Sequence, residues 1–86
     1  MLSGLIDYKE LPDNKVEIIT ESMLSGETRQ TVIDRNYNEF LNDIVSYIEG
    51  EKLIQEIFFY LDASTREMLI TGITPEEWDA SFGSDN

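Results

Sequence analysis

The hydrophobic pattern changes its period once along the chain, close to residue 35, and that switch limits the possible folds more than any other feature. Before it, apolar residues sit in short β-branched runs separated by turn-forming clusters, the pattern of strands joined by tight connections. After it, they recur three and four positions apart between repeated helix-start signals. Strands first and helices afterwards predict an α+β architecture: a small antiparallel meander of two or three strands, then three or four short helices. The chain's 86 residues hold material for one modest core, so residues 1–86 are expected to form a single domain. The end, Gly83-Ser84-Asp85-Asn86, has nothing to bury and is expected to fray.

Residues 6–11 read as a first strand ended by Pro12-Asp13-Asn14, a strong turn signal. Residues 15–24 follow, with Val16, Ile18, Ile19 and Thr20 supplying the β-branched side chains that suit a pleated surface. Ser25-Gly26 suits a two-residue hairpin turn, with residues 27–33 returning as a third strand. That turn would set Ile19 opposite Val32, Thr20 opposite Thr31 and Glu21 opposite Gln30. Val16, Ile18 and Ile33 then share one face, and Ile19, Met23 and Val32 the other. Both faces carry apolar residues, so alternation does not say which is buried. One is expected to pack on the helices, leaving the other as a surface for a partner or a second copy.

Asn36-Tyr37-Asn38-Glu39 predicts a helix start with Glu at the third helical position. Tyr37, Phe40, Leu41, Ile44 and Ile48 follow as one stripe, and Gly50 suits the left-handed position past the end. Leu53, Ile54, Ile57, Phe58 and Leu61 repeat the spacing in a second helix. Ser64-Thr65-Arg66-Glu67 reads as a capping box opening a third, which stops at Gly72. Thr74-Pro75-Glu76-Glu77 combines a hydroxyl cap, a proline that needs no amide partner, and a glutamate reaching back. Trp78 and Phe82 would lie one turn apart on the buried side of that last helix.

Residues 60–78 (Tyr-Leu-Asp-Ala-Ser-Thr-Arg-Glu-Met-Leu-Ile-Thr-Gly-Ile-Thr-Pro-Glu-Glu-Trp), followed by Asp79, resemble a tail of small bacteriophage-encoded proteins. In that tail an Arg-Glu pair leads through a short apolar run and a Gly to Thr-Pro-Glu-Glu-Trp-Asp. The resemblance covers about a quarter of the chain as one helix-Gly-helix packing unit. It implies a phage or prophage origin and carries no functional residue across.

Charge narrows the function. Eighteen Asp and Glu stand against six Lys and Arg, a formal net charge of -12 with a pI near 4.1. Such a field repels nucleic acid and anionic membranes and attracts basic surfaces. With no His and no Cys, the usual general base, the thiol nucleophile and the zinc ligand sets are missing, and no glycine-rich loop is built to cradle phosphate. An enzyme is not expected, nor is any cofactor. Absence of cysteine also fits a reducing compartment, and no signal-like or membrane-length apolar run occurs, so the expected location is the host cytoplasm. Asp13-Asn14 begins like a calcium loop, but Lys15 follows and Leu24 stands where a closing Glu belongs. Glu76, Glu77 and Asp79 are better read as complements to the positive end of the last helix than as a metal site.

The candidate partner surface is an acidic helix face. Glu39, Asp43 and Glu49 lie opposite the Phe40-Ile44-Ile48 stripe, and Glu51 and Glu56 continue the negative surface into the next helix. No Lys or Arg occurs between Arg35 and Lys52, so this face is expected to lack counter-ions, and like charges at helical spacing weaken a helix. Phe58, Phe59 and Tyr60 cannot all face inward from one helix, which leaves Phe59 exposed as a contact residue. The expected function is a non-enzymatic acidic binding protein, of the phage inhibitor type. It would occlude the basic nucleic-acid-binding surface of a host protein, as DNA mimics, anti-CRISPR and anti-restriction proteins do. The alternative is a phage structural or assembly protein that self-associates, as a homodimer, through the apolar sheet face.

Overall fold

The computed structural model describes residues 2–50 and 52–82, so the expected fraying of residues 83–86 lies outside the described residues. Seven elements follow in the predicted order: β1 (Leu5–Leu11), β2 (Lys15–Glu21), β3 (Thr28–Ile33), α1 (Tyr37–Glu49), α2 (Ile54–Ile57), α3 (Ala63–Ile70) and α4 (Pro75–Phe82). The sheet is antiparallel with strand order β1-β2-β3, and the architecture is α+β.

The first hairpin turns where Pro12-Asp13-Asn14 predicts. Asp13 and Asn14 take φ of 65° and 59°, left-handed values that short polar side chains tolerate better than most. The second hairpin departs from expectation. β2 pairs with β3 so that Ile19 faces Gln30, Thr20 faces Arg29 and Glu21 faces Thr28, two residues away from the predicted register. The cause is Ser22. Its hydroxyl accepts from the amides of Leu24 and Ser25 (3.1 and 3.2 Å), and its own amide donates to the Glu27 carbonyl at 2.9 Å. A serine turn therefore ends β2 early and widens the loop. A slip of two preserves the faces, whereas a slip of one would have inverted them.

Val16, Ile18 and Thr20 are fully buried on the covered face of β2, and Ile33 joins them from β3. Phe40, Ile57, Phe58, Leu61 and Leu69 complete the cluster from the helices. Tyr8 packs edge-on against Phe40 with centroids 5.7 Å apart, and Phe40 meets Phe58 at 6.1 Å. The opposite face stays uncovered. It shows Val32 at 56% exposure and half-buried Ile19, but also the Lys9–Glu17 ion pair at 3.2 Å.

In α1, Asn36 Oδ1 accepts from the amides of Asn38 and Glu39 at 3.0 and 3.2 Å, the predicted cap, and Gly50 follows the last turn. Ile48 does not join the stripe's buried part: it is 74% exposed, whereas Ile44 and Tyr47 pack against the core. The expected second helix shrinks to the single turn of α2. A continuous helix would point Phe58 and Tyr60 roughly 200° apart. Breaking it after Ile57 lets Phe58 enter the core and Tyr60 reach α1, which leaves Phe59 outward at 67% exposure. α3 begins two residues earlier than the Ser64-Thr65-Arg66-Glu67 signal implies. Asp62 is the cap, its Oδ1 accepting from the Thr65 amide at 2.8 Å; hydrogen bonds from the Thr65 hydroxyl, and then from its amide, hold the carboxyl below its ordinary value.

The C-terminal end of α3 is closed by the sheet. The Gly4 amide donates to the Leu69 and Ile70 carbonyls (3.1 and 2.9 Å), and the Met23 amide to the Thr71 carbonyl (2.9 Å). Carbonyls a helix end would otherwise leave unsatisfied are thus used to dock it. The backbones approach so closely that a Cβ on Gly4 would overlap Gly72 and Met68, and one on Gly72 would overlap Glu21.

Candidate functional site

The acidic residues singled out from the sequence do not form one unneutralised face. Glu39 and Asp43 both turn to Arg35, just before α1. Arg35 Nη2 lies 3.1 Å from Asp43 Oδ2, and Nη1 lies 3.7 Å from Glu39 Oε1. Asp43 also accepts the Tyr60 hydroxyl at 2.7 Å, and the Arg35 guanidinium stacks 4.4 Å from the Tyr60 ring centroid. Burial, and then the Asp43 carboxylate, push the Tyr60 pKa well above its ordinary value. This clasp ties the end of β3, α1 and the turn after α2 together. It corrects the expectation of a face without counter-ions: counting cations only inside the helix missed Arg35, which lies just upstream of it. The i, i+4 spacing of Arg35 and Glu39 was the available signal.

The remaining predicted residues scatter. Glu56 Oε1 accepts from the Leu53 amide at 3.1 Å, so it caps the single turn of α2. Glu49 is exposed in the last turn of α1, where the helix dipole offers it nothing. Glu51 lies outside the described residues. Phe59 is exposed as expected, 5.9 Å from the Arg35 guanidinium.

A second polar cluster holds α4. The Thr74 hydroxyl accepts from the Glu77 amide at 3.3 Å while Glu77 Oε1 accepts from the Thr74 amide at 3.2 Å, the predicted capping box. Glu77 Oε2 also accepts from the Ser25 hydroxyl in a short bond and from Arg29 Nη2 at 3.3 Å. The Ser25 bond is the largest reason its carboxyl is held down to about 2. Glu77 is thus engaged by Ser25, Arg29 and Thr74, and among the described residues no three acidic groups gather as a metal site.

A carboxyl whose folded pKa is depressed stabilises the fold while ionised. For Glu77 that stability is fully present above its ordinary value of 4.5 and fades as pH falls towards about 2. Glu77→Gln is therefore expected to lower the urea midpoint at neutral pH, with the gap to the unsubstituted chain closing on acidification. A gap of equal size at pH 2.5 and pH 7 would show that the carboxylate's charge is not what fastens α4.

Two grooves accompany these clusters. A larger one, of about 710 Å³, lies between β1 and the end of α1, lined by Leu2, Leu5, Tyr8, Ile44, Tyr47 and Ile48 with Lys52 among them. A smaller one, of about 300 Å³, separates α3 from α4 and is lined by Ala63, Glu67, Ile73, Pro75, Trp78 and Asp79. Trp78 belongs to this groove at 40% exposure and not to the core, because α4 is attached through its first turn. Phe82, its expected companion, has a side chain outside the described set. Among the described residues no helix is long and apolar enough to cross a membrane. Comparison with protein-family models, with curated proteins and with solved structures gives no match to this chain.

Proposed function

We propose that this chain is a non-enzymatic acidic binding protein that occludes the basic nucleic-acid-binding surface of another protein, in the manner of phage-encoded DNA mimics, anti-CRISPR and anti-restriction inhibitors. One observation carries the reading: five of the six lysines and arginines are tied to groups of the chain's own, with Lys52 left exposed, while several carboxylates stay outside without a counter-ion. Lys9, Lys15, Arg29 and Arg35 are engaged in ion pairs, and Arg66 Nη1 donates to the Phe58 and Leu61 carbonyls (3.4 and 2.6 Å). Glu10, Glu21, Glu49, Glu76 and Asp79 are exposed and form no ion pair among the described residues. A surface of this sign competes with phosphate for cationic grooves. Electrostatics would speed the encounter, and buried apolar contacts would supply specificity.

The test is capture on immobilised chain from nuclease-treated host lysate, with elution by salt and by added DNA or RNA. The expected result is a nucleic-acid-binding protein that nucleic acid displaces and that salt releases by roughly 0.5 M, where screening acts within a few ångströms. Retention that neither salt nor nucleic acid disturbs would refute occlusion. A second reading, self-association through the uncovered sheet face, is favoured by the exposure of Val32 beside Ile19 there. A light-scattering mass of one chain at high concentration would remove it.

A further inference from the structure

We infer that the groove between α3 and α4 seats a lysine or arginine side chain of a basic partner protein; the inference rests on the occlusion reading and names the contact that would give it specificity. The lining is mainly apolar, with Ile73, Pro75, Trp78 and Ala63. Its acidic members are Glu67 on α3 and Asp79 on α4, and among the described residues no cationic side chain lines it. The two neighbouring arginines are turned elsewhere. Arg66 is held by the Phe58 and Leu61 carbonyls, and Arg29 by Glu27 and Glu77. Glu67 is held in place because its Oε2 accepts the Thr71 hydroxyl at 2.7 Å.

A long cationic side chain matches this arrangement along its whole length. Its methylene stem lies on Trp78 and Pro75, and its charged head sits between the two carboxylates. Charge decides between occupants. A second copy of a chain at net charge -12 is repelled, as are phosphate and anionic lipid. The larger groove beside β1 is less suited to a basic occupant, because Lys52 lines it.

Trp78 is the only tryptophan in the chain, so its emission reports on this groove directly. The experiment titrates the full chain with an oligoarginine peptide at low salt, and with an oligoglutamate peptide as control. A saturable change of emission is expected with oligoarginine alone. Glu67→Gln and Asp79→Asn are each expected to weaken apparent affinity by roughly twofold to fivefold, the range of exposed ion pairs. Asp7→Asn, at an exposed position of β1 away from the groove, should leave it unchanged, and urea midpoints establish that all three variants are folded. Emission unmoved by oligoarginine, or Glu67→Gln and Asp79→Asn no weaker than Asp7→Asn, would overturn the groove assignment. Lysate capture separates the two claims: a retained protein still displaced by nucleic acid leaves occlusion standing when the groove fails.

Discussion

Gly72→Ala is expected to lower the unfolding free energy by about 2–5 kcal/mol, the sum of a left-handed backbone penalty and an overpacking term. Gly72 has φ of +76°, which costs any side-chain-bearing residue there. A methyl group would also overlap the Glu21 carbonyl and the Ser22 amide, both backbone and neither able to swing aside. Relief requires α3 to move off the sheet, breaking the bonds from Gly4 and Met23 to its last carbonyls. A domain of this size is stable by little more than the expected loss, so the variant should be largely unfolded or nearly so at 37 °C. Gly26→Ala is the internal control. Gly26 shares the left-handed backbone, at φ +77°, but nothing lies within 4 Å of the added carbon. Urea denaturation of both variants isolates the close approach. Equal midpoints would mean that backbone strain alone matters and that the contact between α3 and β2 is looser than described.

Phe58→Ala is the second large effect, expected to cost about 3–5 kcal/mol through lost transfer free energy and an unfilled cavity. Phe58 is fully buried and meets Phe40 and Tyr60, each with ring centroids 6.1 Å away. The turn that carries it also presents the carbonyls bound by Arg66 and the Tyr60 hydroxyl bound by Asp43. Removing the ring therefore loosens the clasp on α1 as well as the core. Phe59→Ala, one position away at 67% exposure, should fall within about 0.5 kcal/mol of the unsubstituted chain. Comparable losses at the two positions would contradict the break in the helix after Ile57.

The candidate site was less legible than the fold. Thr74-Pro75-Glu76-Glu77 announced a capping box because every partner lies within four residues, and that box formed. Nothing local announced that Glu77 also binds Ser25 and Arg29, roughly fifty residues away in the chain. The supposedly unneutralised face of α1 failed for a similar reason. Arg35 and Tyr60 reach Asp43 from before and beyond the helix, and no helical spacing contains both. Trp78 was read as core from its type, but its exposure depends on how α4 is attached.

What the sequence determined by itself was the set of features governed by neighbours in the chain. The strand and helix order, the Pro12-Asp13-Asn14 turn, the Asn36 cap of α1, and the sharing of one face by Val16, Ile18 and Ile33 all follow from short-range sterics and side-chain period. Only the tertiary structure decided which sheet face was covered, where β2 met β3, and which carboxylates remained for a partner. Those outcomes depend on groups distant in sequence competing for the same space and the same hydrogen bonds. Met23 gives its amide to Thr71, Ser22 takes over the turn, and Arg35 claims Asp43. Each of these choices is settled by the free energy of the packed whole, which no local window of residues contains.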